Sequence, residues 1–424
     1  MGVEHRMLQK ILGDFGIDRR NFLAVSGLLV NVFAWLFFLR SLLEQIIISN
    51  NLTNNIVIWV TFYVSIIASS IIGAVLSKNY SGFRFLYSWM ALGAISSLLP
   101  ALITSFTLVP LLIVSAIFGV SFGLGMPSCL AFFSETTKVE NRGRIGGIIF
   151  LAVSLSAPIL AVPFSGLTLV MQSIIYAIWR GMGLSVYFLK PRNYDSLKVS
   201  KTSFVSVLRD RSFLLYFVAW LMFCLVDTFE FTLIEHFLND ELLKLMGLIE
   251  PAASVFAILI AGFMCDWIGR KKIVLSGFVS LGIAYATIGF LPLSDFSWYL
   301  YFVVDGVAWG MFYLAFVLIL WGDLSQSGSR EKYYALGSVP FFISYLIPAF
   351  LPDSFVEQIS LTSNFSLSAA FSLASFFLFT AVMPLVFAPE TLPEKKIELR
   401  RLRKFAEEAQ KAKEKYERKM EIKN

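Results

Sequence analysis

Twelve stretches of this chain are apolar for long enough to cross the hydrocarbon of a bilayer, and no other feature restricts its fold as strongly. They cover residues 22–48, 55–77, 84–105, 107–133, 145–166, 168–190, 212–238, 244–265, 272–292, 297–322, 333–352 and 366–388. The spacing predicts an all-α membrane protein with twelve transmembrane helices. Composition excludes the soluble alternative. Only 15% of residues are charged and 42 are Phe, whereas a soluble domain carries roughly 25% charged residues. A bilayer solvates such a chain; water would aggregate it.

The basic residues fix an orientation. With both termini on the cytoplasmic side, 32 of the 35 Lys and Arg fall in the N-terminus, the inner loops or the tail. Lys244 falls outside, and Arg40 and Arg180 lie within spans. Moving the count by one helix destroys this asymmetry, so it supports an even number of spans with both ends cytoplasmic; the membrane expected is the plasma membrane. The formal charge of +6 is thus directed at a lipid surface rather than at nucleic acid. Glu4, Arg6, Lys10 and Asp14 interrupt the start of the chain, so the first span is expected to be retained rather than cleaved as a signal peptide. Cys129, Cys224 and Cys265 sit in or beside apolar runs and predict no disulfide framework.

Four short matches recur at an offset near 188 residues. Gly73–Lys78 corresponds to Gly262–Trp267, Gly119–Gly123 to Gly306–Gly310, and Glu135 with Arg142 to Asp323 with Arg330. Ser41–Gln45 likewise corresponds to Thr232–His236. A repeat of this length predicts two pseudo-symmetric six-helix bundles. The expected division is a first half over 1–190, a cytoplasmic linker over 191–211, a second half over 212–389 and a charged tail over 390–424. Leu402, Phe405, Ala409, Ala412 and Tyr416 recur at helical spacing in that tail, which reads as a solvated or membrane-skimming helix.

After the eighth span comes Gly262-Phe-Met-Cys-Asp266-Trp-Ile-Gly269-Arg270-Lys271-Lys272. A small residue there lets a neighbouring helix approach closely, an acid can cap a helix or pair with a base, and an Arg offers a forked donor to a carboxylate. This loop resembles the signature of the major facilitator superfamily. The first-half copy, with Gly73 and Lys78, is degraded because Ser77 replaces the acid. Glu135 to Gly143 and Pro389-Glu390-Thr391 are similar to elements of the sugar-porter branch, although Pro393 stands where a Gly is expected. That resemblance implies a secondary transporter whose inner side is closed by ion pairs among Glu135, Arg142, Asp266, Arg270, Asp323, Arg330 and Glu390. Glu135 and Arg142, like Asp323 and Arg330, are expected to pair across loops rather than within one. Phe150 replaces the branch's sugar-contacting Gln, and Ala157-Pro158 is a poor echo of the antiporter motif.

Charges inside spans cost roughly 2.5–3.5 kcal/mol each on insertion scales, which makes them candidates for function. Asp227 and Glu230 share one face of the seventh span, and two carboxylates so close are expected to share a proton near neutrality. Arg180 is an expected counter-charge. Arg40 and Glu44, four apart, could neutralise each other, and Glu235, Glu250 and Asp305 complete the candidate set for proton coupling and substrate. His236 has no Cys or His cluster around it, so no metal or other cofactor is expected. The function expected is proton-coupled symport of a small polar metabolite, by a protein acting as a monomer. A proton-coupled drug or organic-ion efflux antiporter, or a receptor of the same fold, is the alternative.

Overall fold

The computed structural model describes residues 16–50, 55–77, 82–103, 105–164, 166–189, 202–325, 329–347 and 367–393. Lys78, the linker over 191–201, the Glu235 side chain and the tail beyond 393 lie outside the described residues.

The described residues form helices at the twelve expected places. In the first half these are α1 (Arg19–Ser49), α2 (Asn55–Leu76), α3 (Gly82–Ser97, continued by Leu99–Leu102), α4 (Leu108–Gly123, resuming as Met126–Thr136), α5 (Arg142–Phe164) and α6 (Leu169–Met182). In the second they are α7 (Arg211–Phe237), α8 (Asp240–Ile268), α9 (Arg270–Phe290), α10 (Asp295–Phe312), α11 (Arg330–Gly337, continued by Val339–Ser344) and α12 (Leu367–Phe387). Among the described residues, nine helices are long and apolar enough to cross a membrane. The remaining three expected spans fall on α5, α6 and α11.

Local chemistry sets the helix starts. Asn239 accepts from Leu242 N at 2.8 Å, with Asp240 and Glu241 in the first turn of α8; the acids face the positive end of the helix dipole. Asp210 caps α7 through Ser212 N at 2.9 Å. Pro127 stands in the first turn after the break in α4, where a missing N–H costs nothing. After α10 the backbone runs as a π-helix over Tyr313–Ile319 before Leu320–Leu324 returns to α.

The two halves repeat one packing scheme. α2 packs on α4, α3 on α6 and α1 on α5; the corresponding second-half pairs are α8 on α10, α9 on α12 and α7 on α11. The repeated glycines are the closest contacts of this scheme. A Cβ on Gly119 would run into Phe62 O, and one on Gly306 into Glu250 O. One turn on, Gly123 meets Ile66 O and Gly310 meets Ser254 O. The offset is therefore physical: equivalent helices touch through equivalent small residues. Across the halves α5 lies on α8 and α2 on α11. Outside, Phe256 and Phe376 are 71% and 63% exposed, as suits a lipid-facing surface.

Candidate functional site

Two features face each other along the interface between the bundles: a knot of buried ion pairs at one end, and a cavity toward the other. The knot begins with backbone. Gly262 on α8 is so close to α5 that a Cβ there would meet Gly143 O and Gly147 Cα. That approach lets Asp266, one turn later, cap the first turn of α5 from the opposite half. Its carboxylate accepts from Gly143 N at 2.9 Å and Arg144 N at 2.8 Å. Asp266 also pairs with Arg270 at 3.2 Å and Arg144 at 3.3 Å.

Two of the remaining pairs cross between the halves, and a third, Arg270 with Asp323, lies within the second. Arg142, at the start of α5, pairs with Asp323 in the segment after α10. Asp323 also binds Arg270 at 3.1 Å. Arg330 on α11 pairs with Glu135 at the end of α4, at 3.3 Å. Thus each repeated acid–base couple is exchanged, Glu135 with Arg330 and Arg142 with Asp323. Arg270 further donates to Val139 O in the opposite half. Glu390 caps α9 through Arg270 N at 3.0 Å and Lys271 N at 3.2 Å. Gly269 makes room for it: its φ is +108° and a Cβ would strike the Glu390 carboxylate. Arg142, Asp266 and Arg270 are each no more than 1% exposed. The degraded first-half copy differs as its sequence suggests. Ser77 Oγ is buried without a hydrogen-bond partner, and Gly73 packs against Leu124 O.

The cavity, about 1260 Å³, takes its walls from α1, α5 and α6 on one side and α8, α10 and α11 on the other. Glu44 and Glu250 line it from opposite halves, with Ser41, Gln45, Gln172 and Ser254 between aromatic rings. Among the described lining residues there is no Lys, Arg or His. Toward the ion pairs the space is closed by rings. Phe150 lies 5.3 Å from Phe33 and 5.3 Å from Tyr313, ring centre to ring centre. An apolar plug therefore occupies the place where the sugar-porter resemblance would put a sugar-binding amide.

Behind the second-half wall lie the other acids. Trp309 lines the cavity and its indole Nε1 donates to Asp227 Oδ1 at 2.9 Å. Glu230 Oε2 accepts from Tyr285 at 3.1 Å and Tyr301 at 3.0 Å, while its Oε1 has no partner. Asp305 and Glu230 are each 2% exposed, and one oxygen of Asp305 and one of Glu250 also lack a partner. The charges act on one another: Glu250 with Asp227, Glu230 with both, and Asp305 with all three. Among the described residues none of the four has a basic group within ion-pair distance. Tyr301, Asp305 and Trp309 stand at successive turns of α10, a stripe present in the sequence that a reading of charges alone does not pick out.

Two expectations about bases need correction. Arg180 is not brought to the acids. It is buried in the first half, where Nη1 donates to Asn31 Oδ1 at 2.7 Å. Its guanidinium lies 4.7 Å from the Trp35 ring centre and 4.2 Å from that of Trp89, so ring quadrupoles rather than a carboxylate hold it. Arg40 is not within ion-pair distance of Glu44 either; it lies over the Tyr345 ring at 4.8 Å. Helical spacing puts Arg40 and Glu44 on one face but cannot foresee the Tyr345 ring, just beyond the end of α11, beside Arg40.

Two six-helix bundles with a central cavity, sealed at one end by exchanged ion pairs, define a multi-pass helical membrane protein built on two repeated halves. The chain belongs to the Major Facilitator Superfamily, whose family model matches residues 23–311. No curated protein matches it in sequence. Among solved structures it is similar to the human organic anion transporter MFSD10, with 16% identity, TM-score 0.61, and 87% of this chain and 99% of that one covered. The proton:xylose symporter XylE gives 13% identity and TM-score 0.62 over 88% of this chain and 96% of that one. The E. coli fucose:proton symporter FucP gives 12% and 0.65 over 87% and 98%. At these identities the likeness concerns the fold alone.

Proposed function

We propose that the protein is a proton-coupled symporter that moves a small solute across the plasma membrane by alternating access. Its termini face the cytoplasm in this reading, so the ion-pair knot is the closed inner gate and the cavity opens outward. The observation that carries the proposal is the set of four mutually repelling carboxylates, Asp227, Glu230, Glu250 and Asp305, with no counter-cation among the described residues. Desolvated acids in that arrangement are neutralised most economically by protons. Trp309 joins the set to the cavity, so a solute against its ring can sense the charge state of Asp227. Loading both proton and solute then weakens the outward-open state, and the halves rock to break the exchanged ion pairs.

Exchange of an organic ion for protons is the second reading, supported by Glu44 and Glu250 standing in the cavity wall itself. Both are tested with the purified protein in liposomes that enclose a pH-sensitive dye. A panel of sugars, amino acids and organic amines is added outside. Symport predicts that an active solute acidifies the lumen, and exchange predicts that it makes the lumen alkaline. Transport with no change in lumenal pH would overturn proton coupling in either form.

A further inference from the structure

We propose that the cavity selects organic cations carrying an aromatic or other apolar body, such as arylalkyl amines and quaternary ammonium ions. The inference rests on the reading of this cavity as the solute site, and it holds whichever way protons move.

Charge comes first. Glu44 and Glu250 face the cavity from opposite halves, and the lining contains no base among its described residues. A solute held between the halves is therefore flanked by two carboxylates. The Glu250 Oε1 atom is buried without a hydrogen-bond partner. Asp305, next to the lining residue Gly306, is 2% exposed and also keeps an unpartnered oxygen. Each of these acids that is ionised makes the field at that wall negative, and an anion entering it would meet no counter-charge among the described lining residues. Arg40, whose guanidinium lies over the lining residue Tyr345 at 4.8 Å and acts electrostatically on Glu44, is a single cation against the two carboxylates of the wall.

The remaining surface is aromatic on both sides. On the first half Phe38 and Tyr176 are stacked, with centroids 4.7 Å apart and planes 9° from parallel. On the second half Phe341 lies 5.9 Å from Tyr313 and 5.3 Å from Tyr345. Ring faces attract a weakly hydrated cation and also bury its apolar body. A strongly hydrated inorganic cation would give up its shell against ring faces for only the scattered carboxylate, amide and hydroxyl oxygens of the wall. A neutral sugar would find few of the amide groups that satisfy a ring of hydroxyls. Carboxylates for charge and rings for bulk fit one chemistry together.

The test is equilibrium binding to the full-length protein in lipid nanodiscs, with tetraphenylphosphonium as probe and tetraphenylborate as its isosteric anion. The expected result is saturable binding of the cation, at least tenfold tighter than any saturable binding of the anion. Glu44→Gln should weaken the cation tenfold or more; Glu44 is exposed and holds no element in place, so this variant isolates the charge. Glu44→Asp should restore most of the affinity, and Glu250→Gln should act in the same direction as Glu44→Gln. Equal affinity for both probes, or cation affinity unchanged in Glu44→Gln, would overturn the proposal. No proton gradient is present, so failure here would leave the liposome result standing, and failure there would leave this one.

Discussion

Trp309 Nε1 donates to Asp227 Oδ1 at 2.9 Å, so a single side chain both walls the cavity and holds a buried acid. The contact spans α10 and α7 and links the cavity wall to an acid behind it. Trp309→Phe keeps an aromatic wall and removes the donor. A hydrogen bond to a charged group contributes about 1.5–3 kcal/mol. Gradient-driven accumulation should therefore fall by about tenfold or more, since about 1.4 kcal/mol is tenfold, while solute affinity changes far less. Uptake with and without a gradient, beside equilibrium binding, separates the two effects. A parallel loss of affinity and coupling would mean that Trp309 is only a wall.

In the proposed function the exchanged ion pairs form the inner gate, and they predict how it answers to charge. Glu135 and Arg330 are partly accessible, with side chains 10% and 17% exposed, so their pair is expected to contribute about 1 kcal/mol. Glu135→Ala or Arg330→Ala should raise the gate-open population about fivefold, read as a longer distance between spin labels at Lys138 and Lys271. Glu135→Arg with Arg330→Glu should return the distance toward its original value. Lengthening in the exchanged double variant equal to that of the single ones would rule out the pairing.

Arg142 and Asp323 should behave differently because both are buried. Removing one partner from such a pair costs about 3–5 kcal/mol, since the other charge is left uncompensated. Asp323→Ala strands Arg142 and also removes a partner of Arg270. Its thermal unfolding midpoint in detergent should fall well below those of the Glu135 and Arg330 variants. An unchanged midpoint would contradict the burial that separates the two pairs.

The repeat makes a prediction about packing. Gly119→Val and Gly306→Val both drive a side chain into a backbone carbonyl, of Phe62 and of Glu250. Overpacking of this kind costs about 1–3 kcal/mol, so both should lower the unfolding midpoint by similar amounts. A Cβ on Gly247 would meet nothing within 4 Å; Gly247→Ala should be neutral or raise the midpoint, by about 0.5–1 kcal/mol for a helical Gly.

The long-range plan is more legible in the sequence than the short-range contacts. Apolar runs locate α1 as 22–48, where the helix covers Arg19–Ser49, because the hydrocarbon thickness sets that length. The glycine matches locate the close contacts of α4 and α10, because a small residue is needed wherever two backbones meet. Partners are harder to read. Spacing alone sets Arg180 against acids in the other half, since periodicity gives a residue's face on its own helix and not the helix's rotation in the bundle. Trp35 and Trp89, which enclose it, come from two other helices. The π-helix over Tyr313–Ile319 leaves no mark in an apolar run where every residue suits a membrane. Asp227 and Glu230 stand out because charge is costly there, whereas Tyr285, Tyr301 and Trp309 do not, because aromatic residues are common throughout the chain.

Proton coupling through the buried acids is tested most directly by comparing two modes of transport in one variant. In liposomes containing Asp227→Asn with Glu230→Gln, a solute that the unaltered protein accumulates is followed in counterflow and under an inward proton gradient. Counterflow needs only binding and rocking of the halves; accumulation needs the proton. Retained counterflow with accumulation lost is the predicted result. Gradient-driven accumulation equal to that of the unaltered protein would contradict it.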